Sequence, residues 1–209
     1  MSLKFIGNNM MGAIPDNAFT NLTQLQSLMI VTNSGLNGTM PSSLGTLTQL
    51  TQLTLSGTAW TGSIVSSLAN LVRLQSLTIA DNTLTGSVPD IFGGMTNLTT
   101  VAFSNNARTI TAGPFPNSMS QCAALQTVAM TTMLFTGALP SAVNWTQLQT
   151  LNLAFSSFNS SMPDDWSGMT NLRFLNLYGS SVVGPLPKGV GNWTKLTTLN
   201  LGGNRFNGS

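Results

Sequence analysis

The sequence carries very little charge and lacks the side chains on which most enzyme chemistry depends. Only 6% of its 209 residues are Asp, Glu, Lys or Arg, and it contains no His and no Glu. Few groups therefore remain that could transfer a proton, activate a nucleophile or ligate a metal. We accordingly expect no enzyme activity, no catalytic residue, no metal site and no cofactor. Asp164 and Asp165 are adjacent carboxylates after a proline, which we interpret as a solvated pair opening a helical turn.

Three further classes are excluded by what is scarce. The seven cations are scattered singly rather than clustered, so nucleic-acid binding is not expected. Although 42% of residues are hydrophobic, Ser, Thr, Asn or Gly interrupts every apolar run well before eighteen residues, so no segment should insert directly into a membrane. A single cysteine, Cys122, permits no internal disulfide, and its place in the repeat described next predicts a core residue.

The sequence does contain a repeat that runs from end to end. One copy reads LTLSGTAWTGSIVSSLANLVRLQS and the next reads LTIADNTLTGSVPDIFGGMTNLTT. The apolar pairs that open each copy are spaced by 23 to 27 residues, and they begin at Leu3, Leu28, Leu53, Leu77, Val101, Val128, Leu151, Leu175 and Leu199. The spacing of 27 arises from extra residues within 106–113, which predict a bulging loop.

Each copy divides into three parts. An alternating x-L-x-L-x segment predicts a short strand with one buried face. An amide then recurs where the strand should end, at Asn8, Asn33, Asn82, Asn106 and Asn204. We expect Thr58, Ser156 and Ser180 to substitute in part, and Met133 to leave a local weakness. The third part is an x-G-x-I-P element followed by leucines at every third position, which predicts a 3₁₀ or short helical turn.

A unit of about 24 residues cannot bury its own apolar edge, whereas stacked copies share one core. The pattern therefore predicts an α/β repeat solenoid of about nine repeats. Its concave face should be a parallel β-sheet, and its convex face should carry the 3₁₀ or short helical turns.

The consensus L-x-x-L-x-L-x-x-N-x-L-x-G-x-I-P resembles the plant-type, 24-residue leucine-rich repeat over essentially all of residues 1–209. Such repeats are similar to those of receptor-kinase ectodomains, polygalacturonase inhibitors and protozoan surface antigens. The resemblance implies an extracellular or cell-surface recognition scaffold. The cysteine-bearing caps usual in that family are absent, and the first residues lack the features of a signal peptide. We therefore expect one solenoid domain over 1–209 without terminal caps, either as a fragment of a longer chain or as a chain whose ends a partner covers.

One strand of the predicted concave face differs from the others. Most outward positions carry small neutral residues, whereas Phe174, Asn176 and Tyr178 project together from a single strand. Aromatic rings around an amide suit a protein hot spot or stacking against a sugar. We take as candidate ligand-binding residues Phe174, Asn176, Tyr178, Phe155, Asn152 and Asn200.

N-glycosylation sequons also recur. They lie at Asn21, Asn37, Asn97, Asn144, Asn159, Asn192 and Asn207.

The leading functional hypothesis is a rigid, non-enzymatic scaffold that binds a protein or carbohydrate ligand through its concave sheet. The alternative is a structural module that self-associates end to end, or that joins flanking domains in a larger surface complex. A minor third reading is ice binding, because Thr100, Thr127, Thr150 and Thr198 form part of a column that Phe174 interrupts.

Overall fold

The chain forms a coil in which a strand and a turn repeat, and its main element is a single parallel sheet. The computed structural model describes residues 1–104, 106 and 111–207. Nine strands pair in chain order within the sheet. They are Ser2–Ile6, Ser27–Asn33, Gln52–Thr58, Ser76–Ala80, Thr100–Ser104, Thr127–Met130, Thr150–Asn152, Phe174–Asn176 and Thr198–Asn200.

The opening leucines of successive copies lie side by side in this sheet. Leu53 pairs with Leu28 on one side and Leu77 on the other, and Leu175 pairs with Leu151 and Leu199. Leucines of the interior repeats are fully buried because each copy covers the apolar edge of its neighbour. The predicted solenoid architecture is thereby confirmed.

The opposite side of the coil carries short 3₁₀ helices, as the three-residue leucine spacing predicts. They span Ser42–Thr46, Ser66–Asn70, Asn117–Gln121, Asp164–Gly168 and Lys188–Asn192. Successive helices pack closely: a Cβ added to Gly45 would lie 2.4 Å from the main-chain oxygen of Ser67. A side chain at residue 45 would therefore clash with the next helix, so this position requires glycine.

Short strands at the x-G-x element form additional small parallel sheets between the main sheet and the helices. Met11–Ala13 pairs with Gly35–Asn37, and Val183–Gly184 pairs with Arg205–Phe206. Phe135–Gly137 lies between Gly113–Pro114 and Ser157–Phe158. The loop expected within 106–113 depends mainly on residues 107–110, which lie outside the described residues.

Four of the five recurring turn amides hold neighbouring repeats together, as predicted, whereas the exposed side chain of Asn8 makes no hydrogen bond to the described residues. Asn82 is buried; its Nδ2 donates to the main-chain oxygens of Leu55 (3.1 Å) and Ala80 (2.8 Å). Its Oδ1 accepts from the main-chain N–H of Thr58 (3.3 Å) and from the Thr58 hydroxyl (2.6 Å). Each such amide thus satisfies backbone groups of two adjacent copies. Equivalent bonds are made by Asn33, Asn106 and Asn204.

This column of amides is interrupted in the middle of the chain. Met133 occupies the position and is buried, and it brings no polar group to the turn. Ser180 substitutes as expected, since its hydroxyl donates to Leu153 O at 2.9 Å. Ser156 does not: its Oγ is buried and has no hydrogen-bond partner among the described residues. The expectation for Ser156 was wrong because its hydroxyl, unlike that of Ser180, lies within hydrogen-bond distance of no acceptor among the described residues.

Candidate binding surface

The open face of the main sheet, predicted to be concave, is lined by the residues that alternate with the buried leucines. Over the last three strands this face bears no formal charge at the alternating positions of 150–154, 174–178 and 198–202. Phe174 lies in register between Thr150 and Thr198, so it breaks the threonine column. A ligand of this region would therefore meet neutral polar groups and aromatic rings.

Asn152, Asn176 and Asn200 form a second column on this face. The three residues are direct register partners in neighbouring strands. Each Oδ1 accepts a hydrogen bond from the main-chain N–H two residues later, at 3.3 Å from Ala154, 3.0 Å from Tyr178 and 3.3 Å from Gly202. Because a backbone N–H can bind only an acceptor, these bonds fix the oxygen inward and leave Nδ2 directed away from its own backbone.

These local bonds also explain why the last three strands of the sheet are short. Asn and Asp side chains that capture a nearby backbone N–H compete with strand pairing. The last three strands each contain three residues, whereas Gln52–Thr58 contains seven. In the longer strands the position equivalent to Ala154 stays in the ladder, as Ser56 pairs with Ala80. The asparagines therefore end the strands early and present a row of amide donors.

Phe155 and Tyr178 lie just beyond this row and contact each other. Their ring centroids are 5.5 Å apart with the planes at 68°, an edge-to-face arrangement. Each ring packs against a glycine of the next repeat. A Cβ added to Gly202 would lie 3.1 Å from Tyr178 Cδ2, and one added to Gly179 would lie 3.5 Å from Phe155 Cδ1. The two side chains remain 53% and 43% exposed, so part of each ring is available to a ligand.

The backbone of Phe155 is strained. Its φ is +60°, in the left-handed region where bulky side chains are rare. Glycine occupies the equivalent position at Gly57, Gly179 and Gly203, whereas Thr32, Asp81 and Thr132 adopt the same positive φ in other repeats. A bulky residue held in this conformation costs free energy. Phe155 is the bulkiest side chain that the described residues place at this left-handed position.

The structure thus brings five of the six candidate residues into one surface, which we call the aromatic–amide patch. It consists of Phe155, Tyr178, Asn152, Asn176 and Asn200. Phe174 lies at the other end of the same strand and makes no described ring contact with Phe155 or Tyr178. Ala154, which the alternation places outward, is buried. Sequence reasoning missed the strain at Phe155, although its alignment with the glycines of other repeats carried that signal.

The seven sequon asparagines are all exposed. Asn144 and Asn192 already donate from Nδ2 to the main-chain oxygens of Ser120 (3.0 Å) and Ser167 (3.3 Å) on the helical side. Asn37 and Asn159 lie beside the small sheets, away from the aromatic–amide patch.

Groups that could support chemistry are sparse elsewhere. Cys122 is buried in the core, and desolvation raises the pKa of its thiol to about 11. Asp165 accepts hydrogen bonds from the Ser141 hydroxyl and the Ala142 N–H, so only Asp164 fits the solvated pair expected above. Within the described ranges, His, Cys, Asp and Glu side chains form no group of three suited to a metal ion. Every helix there is a single five-residue 3₁₀ turn, far too short to cross a bilayer.

Comparison with known proteins agrees with this geometry. The Leucine Rich Repeat family model matches residues 73–95. A search of curated proteins finds no match. The plant peptide hormone receptor RGFR1, solved with RGF2, superposes with a TM-score of 0.90 at 27% identity over 96% of this chain and 32% of that one.

Two receptors from Arabidopsis are also similar. The receptor kinase HAESA, solved with the peptide hormone IDA and the co-receptor SERK1, gives a TM-score of 0.79 at 28% identity over 94% of this chain and 36% of that one. The ectodomain of GASSHO1/SCHENGEN3 was solved in complex with CASPARIAN STRIP INTEGRITY FACTOR 2. It gives a TM-score of 0.76 at 27% identity, over 99% of this chain and 27% of that one. The chain spans about a third of the length of these receptors.

The in-register leucines, the parallel sheet and the 3₁₀ turns give the chain a solenoid fold of the leucine-rich-repeat type. Within that class, the chain resembles the ectodomains of plant receptor kinases.

Proposed function

We propose that this chain is a recognition scaffold that binds a peptide segment of a protein partner at the aromatic–amide patch. The observation that carries the proposal is the strained, half-exposed Phe155, which packs against Tyr178 beside a row of unpaired amide donors. Exposed aromatic anchors next to directed polar groups are the usual composition of a binding hot spot.

The structural neighbours support the same class of function. RGFR1 was solved with RGF2, and HAESA was solved with a peptide hormone and a co-receptor. The absence of charge on the patch favours a neutral segment, because burying an unpaired charge against it would be costly. A rigid sheet also loses little conformational entropy when a ligand binds.

The proposal is tested by panning a displayed library of random peptides against the purified chain. We expect enriched peptides to bind at least about tenfold more weakly when Phe155→Gly and Tyr178→Ala are combined, since each hot-spot ring contributes more than about 1.4 kcal/mol. Glycine is chosen at 155 because its backbone already adopts a positive φ. Val143→Ala is the control, because Val143 is an exposed apolar residue outside the patch.

Equal affinity of the double variant and the wild type would overturn the proposal, as would a library that yields no patch-dependent peptide. A glycan array run with the same proteins tests the carbohydrate alternative. Sugar binding that is lost in the double variant, without peptide enrichment, would replace the peptide by a glycan.

We further propose that the protein is exposed at the cell surface or secreted and carries glycans on several sequons. Asn37, Asn159 and Asn207 share one position in the repeat, and glycans there would add solubility without covering the patch. A mass spectrum of native material that shows only the bare polypeptide mass would contradict this proposal.

A further inference from the structure

The amide row, formed by Asn152, Asn176 and Asn200, offers a ligand more hydrogen-bond donors than acceptors. Each Oδ1 of Asn152, Asn176 and Asn200 is already bound to a backbone N–H. The Nδ2 atoms of the three residues make no hydrogen bond to the rest of the described chain. Each Oδ1 keeps a second lone pair, but it is turned toward its own backbone, so a segment lying on this row is matched best by acceptors. An ordinary peptide backbone also brings N–H groups, some of which would lose water opposite other donors.

A proline-rich backbone avoids this cost because proline has carbonyls but no N–H group. Such segments adopt the polyproline II helix, in which carbonyls three residues apart point the same way. With a rise of about 3.1 Å per residue, equivalent carbonyls are separated by about 9.3 Å.

The spacing of the row matches this repeat. Asn152 and Asn200 are separated by two strand steps, with Asn176 between them. Neighbouring strands lie about 4.8 Å apart, which places the outer two asparagines about 9.6 Å apart. An extended strand repeats its carbonyls on one side every 6.8 Å or so and fits neither one step nor two.

The aromatic pair supplies the second element of such a site. Tyr178 lies two residues after Asn176 and Phe155 lies three after Asn152, which places their backbones about 7 Å and about 10 Å beyond the row along the strands. Their planes meet at 68° and each keeps an exposed portion, which leaves a corner between two apolar surfaces. Polyproline helices dock in aromatic-lined grooves where pyrrolidine rings pack against such surfaces.

We infer that the peptide recognised by the patch is a neutral, proline-rich segment in the polyproline II conformation that crosses the last three strands. Its carbonyls accept from Asn152 and Asn200, and a proline ring packs into the corner that the rings of Phe155 and Tyr178 form. This inference rests on the function proposed above and names its ligand class.

Calorimetric titration with decaproline tests the inference, with a ten-residue Gly-Ser peptide and a ten-residue Thr-Val peptide as comparisons. We expect decaproline to bind at least about tenfold more tightly than either. Asn152→Asp and Asn200→Asp keep the oxygen that accepts the backbone N–H and replace the outward donor by an acceptor. Each should weaken decaproline binding about tenfold or more. Asn176→Asp, which lies half a turn out of phase, should have a smaller effect, and Val143→Ala should have none.

The outcomes separate this inference from the function on which it rests. If library peptides bind the patch but decaproline shows no preference over the comparison peptides, the polyproline ligand is wrong and the scaffold function stands. Decaproline binding that is unchanged in Asn152→Asp and Asn200→Asp would also overturn the inference. If neither decaproline nor any library peptide depends on the patch, both proposals fail.

Discussion

The first four repeats and the last three place asparagine at different positions of the same coil, and the two regions differ in structure as a result. In the first region the amide lies in the turn, as Asn33 and Asn82 do, and bonds to the backbone of adjacent copies. The strands there run for five to seven residues. In the last region asparagine also lies on the sheet face, and each strand has three residues.

This difference shows how one residue type can serve stability or recognition within a single repeat. A buried turn amide uses both of its polar atoms for the fold. A sheet-face amide uses only its oxygen and leaves a directed donor toward solvent. The pairing between strands is shorter as a result, and a preoriented polar group lies beside the aromatic pair.

The largest effect on stability is expected from removing the side chain of a turn asparagine in the first region. Asn82→Ala leaves buried groups of Leu55, Ala80 and Thr58 without their partners, so the free energy of unfolding should fall by about 3 kcal/mol. Asn152→Ala removes one partly exposed bond and should cost less than about 1 kcal/mol. Urea unfolding of both variants measures the difference, and equal losses would contradict the division of roles.

A second pair of variants examines the interruption between the two regions. Ser180→Ala removes a buried hydroxyl that donates to Leu153 O, and it should destabilise the protein by about 1 kcal/mol. Ser156→Ala removes a buried hydroxyl without a described partner, so the stability should stay the same or rise. A loss for Ser156→Ala as large as that for Ser180→Ala, in the same thermal or urea assay, would show that Ser156 is satisfied in solution.

Two substitutions remove the ring of Phe155, and the backbone strain there predicts that their stabilities follow the reverse of the usual order. Alanine normally gives a more stable protein than glycine, but at a positive φ its Cβ is penalised. We expect Phe155→Gly to be more stable than Phe155→Ala by about 1 kcal/mol. The difference in melting temperature between the two variants measures this, and the usual order would mean that residue 155 leaves the left-handed region.

The effect that is smallest at neutral pH, and grows only in alkali, concerns a core thiol at the junction of the two regions. A free thiol titrates near pH 8.5, whereas burial raises the pKa of Cys122 to about 11. The unfolded chain therefore loses this proton first, and the stability contributed by the protonated thiol should decline as pH rises from about 8.5 toward 11. Stability curves measured over this range should show the wild type losing stability relative to Cys122→Ala, which has no thiol to titrate.

The repeat period, the strand positions and the turn amides could be predicted from sequence because they depend on local spacing and on a shared core. The leucine column from Leu53 to Leu77 and the bonds of Asn82 are examples. The missing partner of Ser156 and the inward orientation of the Asn176 oxygen could not be predicted from sequence. Both depend on which acceptor or donor lies within reach after folding. The contact between Phe155 and Tyr178 likewise depends on ring orientation.

The residues of the aromatic–amide patch come from three consecutive coils, between residues 151 and 203. The contacts between strands and helices of the described chain join each coil to the coils directly before and after it. A three-coil cassette could accordingly be transplanted into a longer or shorter array of the same pitch while keeping its ligand. Whole coils could equally be gained or lost on either flank without reshaping the recognition surface.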